Sequence, residues 1–137
     1  MPKQYLNPDT LFPSLKYGFS QVVTSAPGKL VFMSGQVAWD AKQQIVGPGD
    51  LKAQTWQALS NVERAVQAAG GSLEDVVSMR IYIVKEQLTG SAAIREGLQA
   101  FFPKERPPAT TWIGRWNWAS PLSKSPTRST TSRARRG

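Results

Sequence analysis

The chain has 137 residues and a formal net charge of +8, from 17 Lys+Arg against 9 Asp+Glu, with no Cys and no His. That length suits one domain with a real core. At 40% hydrophobic and 19% charged residues it reads as globular rather than disordered. The missing residue types exclude disulfides, thiolate nucleophiles, Cys/His zinc sites and a His general base. Any catalysis rests on carboxylates, Arg/Lys, hydroxyls, backbone groups or water, with no metal and no cofactor expected.

The charge is uneven. Residues 1–114 hold 11 basic and 9 acidic residues, a net of +2. Residues 115–137 hold six basic residues and no acid, for +6: Arg115, Lys124, Arg128, Arg133, Arg135 and Arg136. This stretch is rich in Ser, Thr and Pro, so its composition predicts a disordered basic tail. No run reaches the roughly 18 apolar residues that span a bilayer. The segment Met1-Pro2-Lys3-Gln4-Tyr5 lacks the apolar centre of a signal peptide. A cytoplasmic protein with no membrane partner is expected, and the absence of Cys agrees.

In chain order, residues 1–14 are polar and Pro-punctuated, a surface arm. Tyr17–Thr24 is rich in aromatic and β-branched residues and predicts a strand. Ser25-Ala26-Pro27-Gly28 is a turn. Lys29–Ser34 is a nearly continuous apolar run and predicts a buried strand. Residues 44–46 suggest a small edge strand. Asp50 is a good N-cap. Leu51–Ala69 then runs without Gly or Pro, with Trp56, Leu59, Val62, Val66 and Ala69 at helical spacing, and Gly70-Gly71 stops it. Val76–Val84 alternates as a strand, with Val77, Met79, Ile81 and Ile83 on one side. A second helix is expected over about 91–102, with Ile94, Leu98, Phe101 and Phe102 inward, ended by Pro103 and Pro107-Pro108. Ala109–Gly114 reads as a last strand. The plan is α+β: a mixed sheet with two helices packed on one face. Self-association is an economical cover for the other face.

Five ordered stretches then resemble one family: Lys-Leu-Val-Phe-Met-Ser-Gly-Gln-Val (29–37), Gly-Asp-Leu-Lys-Ala-Gln-Thr-Trp-Gln-Ala-Leu-Ser-Asn-Val (49–62), Ala-Ala-Gly-Gly-Ser-Leu-Glu-Asp-Val-Val (68–77), Ala-Ile-Arg-Glu-Gly-Leu-Gln-Ala-Phe-Phe (93–102) and Pro-Pro-Ala-Thr-Thr (107–111). Together they resemble the RidA/YjgF family, also described as endoribonuclease L-PSP. The resemblance implies a chorismate-mutase-like α+β fold and a homotrimer with ligand clefts between subunits. Active members hydrolyse enamines and imines to ammonia and a ketoacid. An Arg after the Pro-Ala pair binds the substrate carboxylate, a task suited to a bidentate guanidinium, and a Glu in the last strand helps place water.

Carried onto this chain, Ser34, Gly35 and Gln36 match the family's ligand-contacting segment, and Phe19 stands where an aromatic commonly lies. Ser34-Gly35-Gln36 also reads simply as a strand end. The residue after Pro108-Ala109 is Thr110, not Arg. A neutral hydroxyl does not replace a fixed cation with two parallel hydrogen bonds, which points to an Arg-lacking subgroup with altered or lost deaminase activity. Thr110 and Trp112 join the candidate ligand-binding set. Trp39, Trp56 and Trp112 also read as core or interface residues. Asp40 is a candidate carboxylate, and Glu63 and Arg64 read as solvated helix charges. The first reading is a small-metabolite-binding protein of the enamine/imine hydrolase type. The alternatives are a non-catalytic binding module and an RNA-associated protein or endoribonuclease. Nucleic acid is expected to bind only non-specifically, through the tail.

The resemblance ends after Gly114, so 1–114 reads as one domain and 115–137 as an atypical tail. The family continues into an apolar strand with a Val-Glu-Ile-like core. Back-translated one base upstream, Trp116-Asn117-Trp118 reads Val/Leu/Met-Glu-Leu, and residues 123–127 can read Val-Glu-Ile-Ala-Asp. A frameshift from about Arg115 onward is the expectation.

Overall fold

The computed structural model describes residues 3–84 and 90–115. Helix α1 spans Leu51–Ala68. It begins where Asp50 Oδ1 accepts the Ala53 N–H at 3.0 Å, satisfying a donor that the first helical turn leaves unpaired. It ends at Gly70, whose φ of +86° suits glycine. Leu59 and Val66 are buried on its inner face. Helix α2 spans Ser91–Phe101. Ile94, Leu98 and the following Phe102 are only 3%, 1% and 3% exposed, as the spacing predicts.

The two helices meet closely at Gly97. A Cβ there would lie 2.6 Å from Thr55 Cγ2 and 3.2 Å from Leu59 Cδ1. Glycine inside a helix costs roughly 1 kcal/mol against alanine. Here it lets the helix backbones approach.

Strand β3, Ser78–Val84, pairs in parallel with β4, Ala109–Arg115, in the register Ser78↔Ala109. Ile83 is buried, and Met79, Ile81 and Trp112 pack with it against Leu59, Leu73, Ile94, Leu98 and Phe102. Both helices therefore cover one face of this pair, the α+β arrangement expected.

The N-terminal third differs from expectation. The arm is not merely surface chain: Gln4–Leu6 forms β1, antiparallel to β2, Val22–Thr24, with Tyr5 opposite Val23. The strand expected over Tyr17–Thr24 is confined to β2. Before it, Leu15–Tyr17 winds into a 3-10 turn closed by Gly18 at φ +88°. A Cβ on Gly18 would sit 3.0 Å from Leu98 Cβ, so this turn is fitted against α2 and cannot extend as a strand. Residues 44–46 contribute one bridge, Trp39↔Ile45, and Trp39 is half exposed there.

Lys29–Ser34 is neither a strand nor buried. Leu30 is 80% and Phe32 90% exposed. A continuous apolar run is buried only if another layer covers it, and no described element does so. Each such side chain forgoes roughly 1.5–3 kcal/mol. The mixed sheet is correspondingly in two pieces, β1–β2 and β3–β4, joined by a parallel bridge between Ser20 and Ala109. The tail expected from Arg115 onward lies, past that residue, outside the described residues.

The bridge is a buried polar latch. Ser20 is 1% exposed. Its hydroxyl donates to the Pro107 carbonyl at 2.6 Å and its N–H to the Pro108 carbonyl at 3.2 Å. Both prolines are fully buried and have no N–H of their own, so Ser20 supplies the donors to their carbonyls.

Gly97→Val should lower unfolding free energy by about 1–3 kcal/mol through overpacking, whereas helix propensity alone predicts a gain; urea denaturation reads the sign. Ser20→Ala should cost about 1–3 kcal/mol by leaving the Pro107 carbonyl buried without its hydroxyl donor, read in the same way. A neutral result would remove the latch from the account.

Candidate functional site

The latch sets Phe19 beside the first residues of β4. Around it lies a shallow depression open to solvent, of about 320 Å³, lined by Phe12, Tyr17, Phe19, Thr110 and Trp112. Each wall follows from local structure. Ser14 is fully buried and its hydroxyl donates to Asn7 Oδ1 at 3.3 Å. The same Asn7 oxygen accepts the Gln21 N–H at 2.9 Å. Gln21 Nε2 in turn donates to the Phe12 carbonyl at 3.0 Å. The arm is thus tied back over the turn that carries Tyr17 and Phe19. Phe12 meets Tyr17 and Phe19 edge to face, with ring centroids 6.2 and 6.0 Å apart, a favoured aromatic geometry. Phe12 is 57% exposed and stands at the mouth.

Thr110 and Trp112 form the floor from one face of β4, two residues apart along the strand. The Thr110 hydroxyl donates to the Pro108 carbonyl at 3.2 Å, which leaves its oxygen as an acceptor. Trp112 Nε1 is buried with no hydrogen-bond partner among the described residues. No Lys, Arg, Asp or Glu lines this cavity.

Of the residues singled out in the sequence, the fold brings Phe19, Thr110 and Trp112 together. Ser34, Gly35 and Gln36 do not line this cavity. Ser34 and Gly35 are exposed, and the Gln36 side-chain amide donates to the Ser34 carbonyl at 3.1 Å. Asp40 is spent locally, its carboxylate accepting the Lys42 and Gln44 N–H groups at 2.8 and 2.9 Å. Arg106 lines a second, polar cavity of about 570 Å³ with Lys3, Tyr5, Glu74, Asp75 and Lys104, and Arg95 lines neither. Within one chain, then, neither Arg95 nor Arg106 brings a guanidinium to the lining beside Thr110.

Sequence reading missed Phe12 and Tyr17 as wall residues. The aromatics flanking Gly18 and the Phe12-Pro13 step were visible, but only the fold ties the arm back over them. Among the described residues no cluster of three or more Asp/Glu could hold a metal ion, and no helix is long and apolar enough to cross a membrane.

Comparison with known proteins agrees with this architecture. Residues 12–116 match the family model described as endoribonuclease L-PSP. The curated relative named 3-aminoacrylate deaminase RutC, from Acinetobacter baylyi, is 31% identical over 107 residues, covering 78% of this chain and 81% of that protein. Among solved structures, the Rid-family protein YyfB of Yersinia pestis superposes with a TM-score of 0.80 at 38% identity, covering 88% of this chain and 91% of that one. RidA from an Antarctic Psychrobacter gives 0.54 at 28% identity over 75% and 77%. With the matched model spanning most of its length, the chain belongs to the Rid (RidA/YjgF, endoribonuclease L-PSP) family.

Proposed function

We propose that this protein binds a small, uncharged, flat metabolite in the Phe12–Tyr17–Phe19–Thr110–Trp112 cavity, and that hydrolysis of carboxylate-bearing imines is weakened or lost. The observation that carries this reading is the lining: four aromatic rings, the neutral hydroxyls of Tyr17 and Thr110, and no charged side chain. A carboxylate placed against these rings would lose part of its hydration without gaining a charge partner from the lining, an unfavourable exchange. An apolar ring or an enamine bearing no acid group loses little on entry and gains ring contacts. The Thr110 oxygen can accept one hydrogen bond from such a ligand.

The relative named 3-aminoacrylate deaminase supports keeping the reaction class: addition of water to a C=N carbon, then expulsion of ammonia. In this chain the acid group of the substrate would lack its clamp, so proximity and orientation, the main sources of rate in such a step, would be poor. The exposed mouth at Phe12 supports a homotrimer in which a neighbouring subunit closes the cavity. No feature of the lining favours RNA, whose phosphates call for cations.

Ammonia release from 2-iminoacids, generated in the assay by an amino-acid oxidase, tests this. The natural chain should leave the rate at its uncatalysed value. Thr110→Arg should tighten binding of the matching 2-ketoacid by about 10- to 100-fold, the value of a charge-assisted hydrogen bond, with thermal melting as the folding control. Strong acceleration of 2-iminoacid hydrolysis by the natural chain would overturn the reading.

A further inference from the structure

We propose that the polar cleft between the β1 arm and the turn over residues 103–106 binds a free α-amino acid with an apolar side chain, at a site separate from the aromatic depression. The cleft holds about 570 Å³ and shares no lining residue with the depression around Thr110. One wall carries Lys3 and Tyr5 with Glu74 and Asp75, and the other carries Lys104, Glu105 and Arg106 beside Pro103. Local structure holds both walls. The Lys3 ammonium stands 5.6 Å from the centroid of the Tyr5 ring and donates to the Glu74 carbonyl. Glu74 and Asp75 belong to the 3-10 turn Leu73–Asp75, where Asp75 Oδ2 accepts the Ser72 N–H at 2.8 Å. Opposite them, the Arg106 N–H donates to the Pro103 carbonyl at 3.1 Å, closing a turn that presents Lys104, Glu105 and Arg106 together.

Each wall carries both signs of charge, and the three cations and three carboxylates of the lining sum to zero at pH 7. Yet the side chains of Glu74, Glu105, Lys104 and Arg106 form no ion pair or hydrogen bond among the described residues. Lys3 keeps two of its three N–H donors beyond the Glu74 carbonyl. A simple anion placed here meets as many carboxylates as cations, and a simple amine as many cations as carboxylates, so the Coulomb terms largely cancel for either. A molecule that carries both charges gains from both sets. The Arg106 guanidinium can take a carboxylate through two parallel hydrogen bonds, while the carboxylates of Glu74 and Glu105 face an ammonium. The Tyr5 ring and Pro103 are the apolar part of the lining, a surface for the ligand's side chain. The same balance of charge disfavours phosphate, which brings only negative charge.

The test is a titration of the full chain with L-leucine, followed by nuclear magnetic resonance at the backbone amides of residues 73–75 and 104–106. Saturable shifts confined to these two segments are expected. Two analogues each remove one charge: 4-methylpentanoate lacks the ammonium and 3-methylbutylamine lacks the carboxylate. Each should bind at least about 10-fold more weakly than L-leucine, and inorganic phosphate no better than either. Absence of saturable shifts with L-leucine would overturn the proposal. So would either analogue, or phosphate, binding as tightly as L-leucine, since the cleft would then read one charge alone. Arg106→Gln should weaken L-leucine by at least about 10-fold and leave 3-methylbutylamine unchanged. Equal loss for both ligands, or no loss for L-leucine, would overturn the assignment of the carboxylate to Arg106.

Discussion

The contact on which the candidate site depends is the buried latch from Ser20 to the Pro107 and Pro108 carbonyls. Two adjacent prolines give a chain that cannot donate and whose carbonyls still need partners once buried. Ser20 meets both at 2.6 and 3.2 Å. This fixes where the N-terminal third of the chain lies against β4. Phe19, one residue before the latch, is carried to Thr110, two residues after it. The cavity is thus a consequence of backbone satisfaction, and its lining follows from which side chains flank the latched residues.

The second constraint is the close packing of α1, α2 and the turn at Gly18. Glycine at 97 and at 18 removes the Cβ atoms that would meet Thr55 and Leu98. The helices can then cover one face of β3–β4, and the turn can aim Tyr17 and Phe19 toward the same corner. Packing of this density tolerates little added volume, so the aromatic walls rest on a rigid support while Phe12 remains at the solvent edge.

Much of this was legible in the sequence. Asp50 as cap, the Leu59–Val66 face, Gly70 as stop, the inward Ile94 and Leu98 and the alternation of β3 are local signals, and each lies where its pattern predicts. What local pattern could not supply were long-range partners. Gln4–Leu6 is a strand because Val22–Thr24 lies beside it. Lys29–Ser34 has a strand's composition but no covering layer, so it stays extended and exposed. Thr110 was identifiable by resemblance, whereas Phe12 and Tyr17 needed the fold, because the Asn7–Ser14–Gln21 hydrogen bonds that bring the arm back have no periodic signature.

The central claim is that the Thr110 cavity prefers an uncharged ligand. Its most direct test is a titration followed at the Trp112 indole N–H by nuclear magnetic resonance, using a 2-ketoacid and its primary amide as a pair differing in charge. The account predicts saturable shifts with the amide and none with the acid at equal concentration. Equal or stronger shifts with the acid would contradict it.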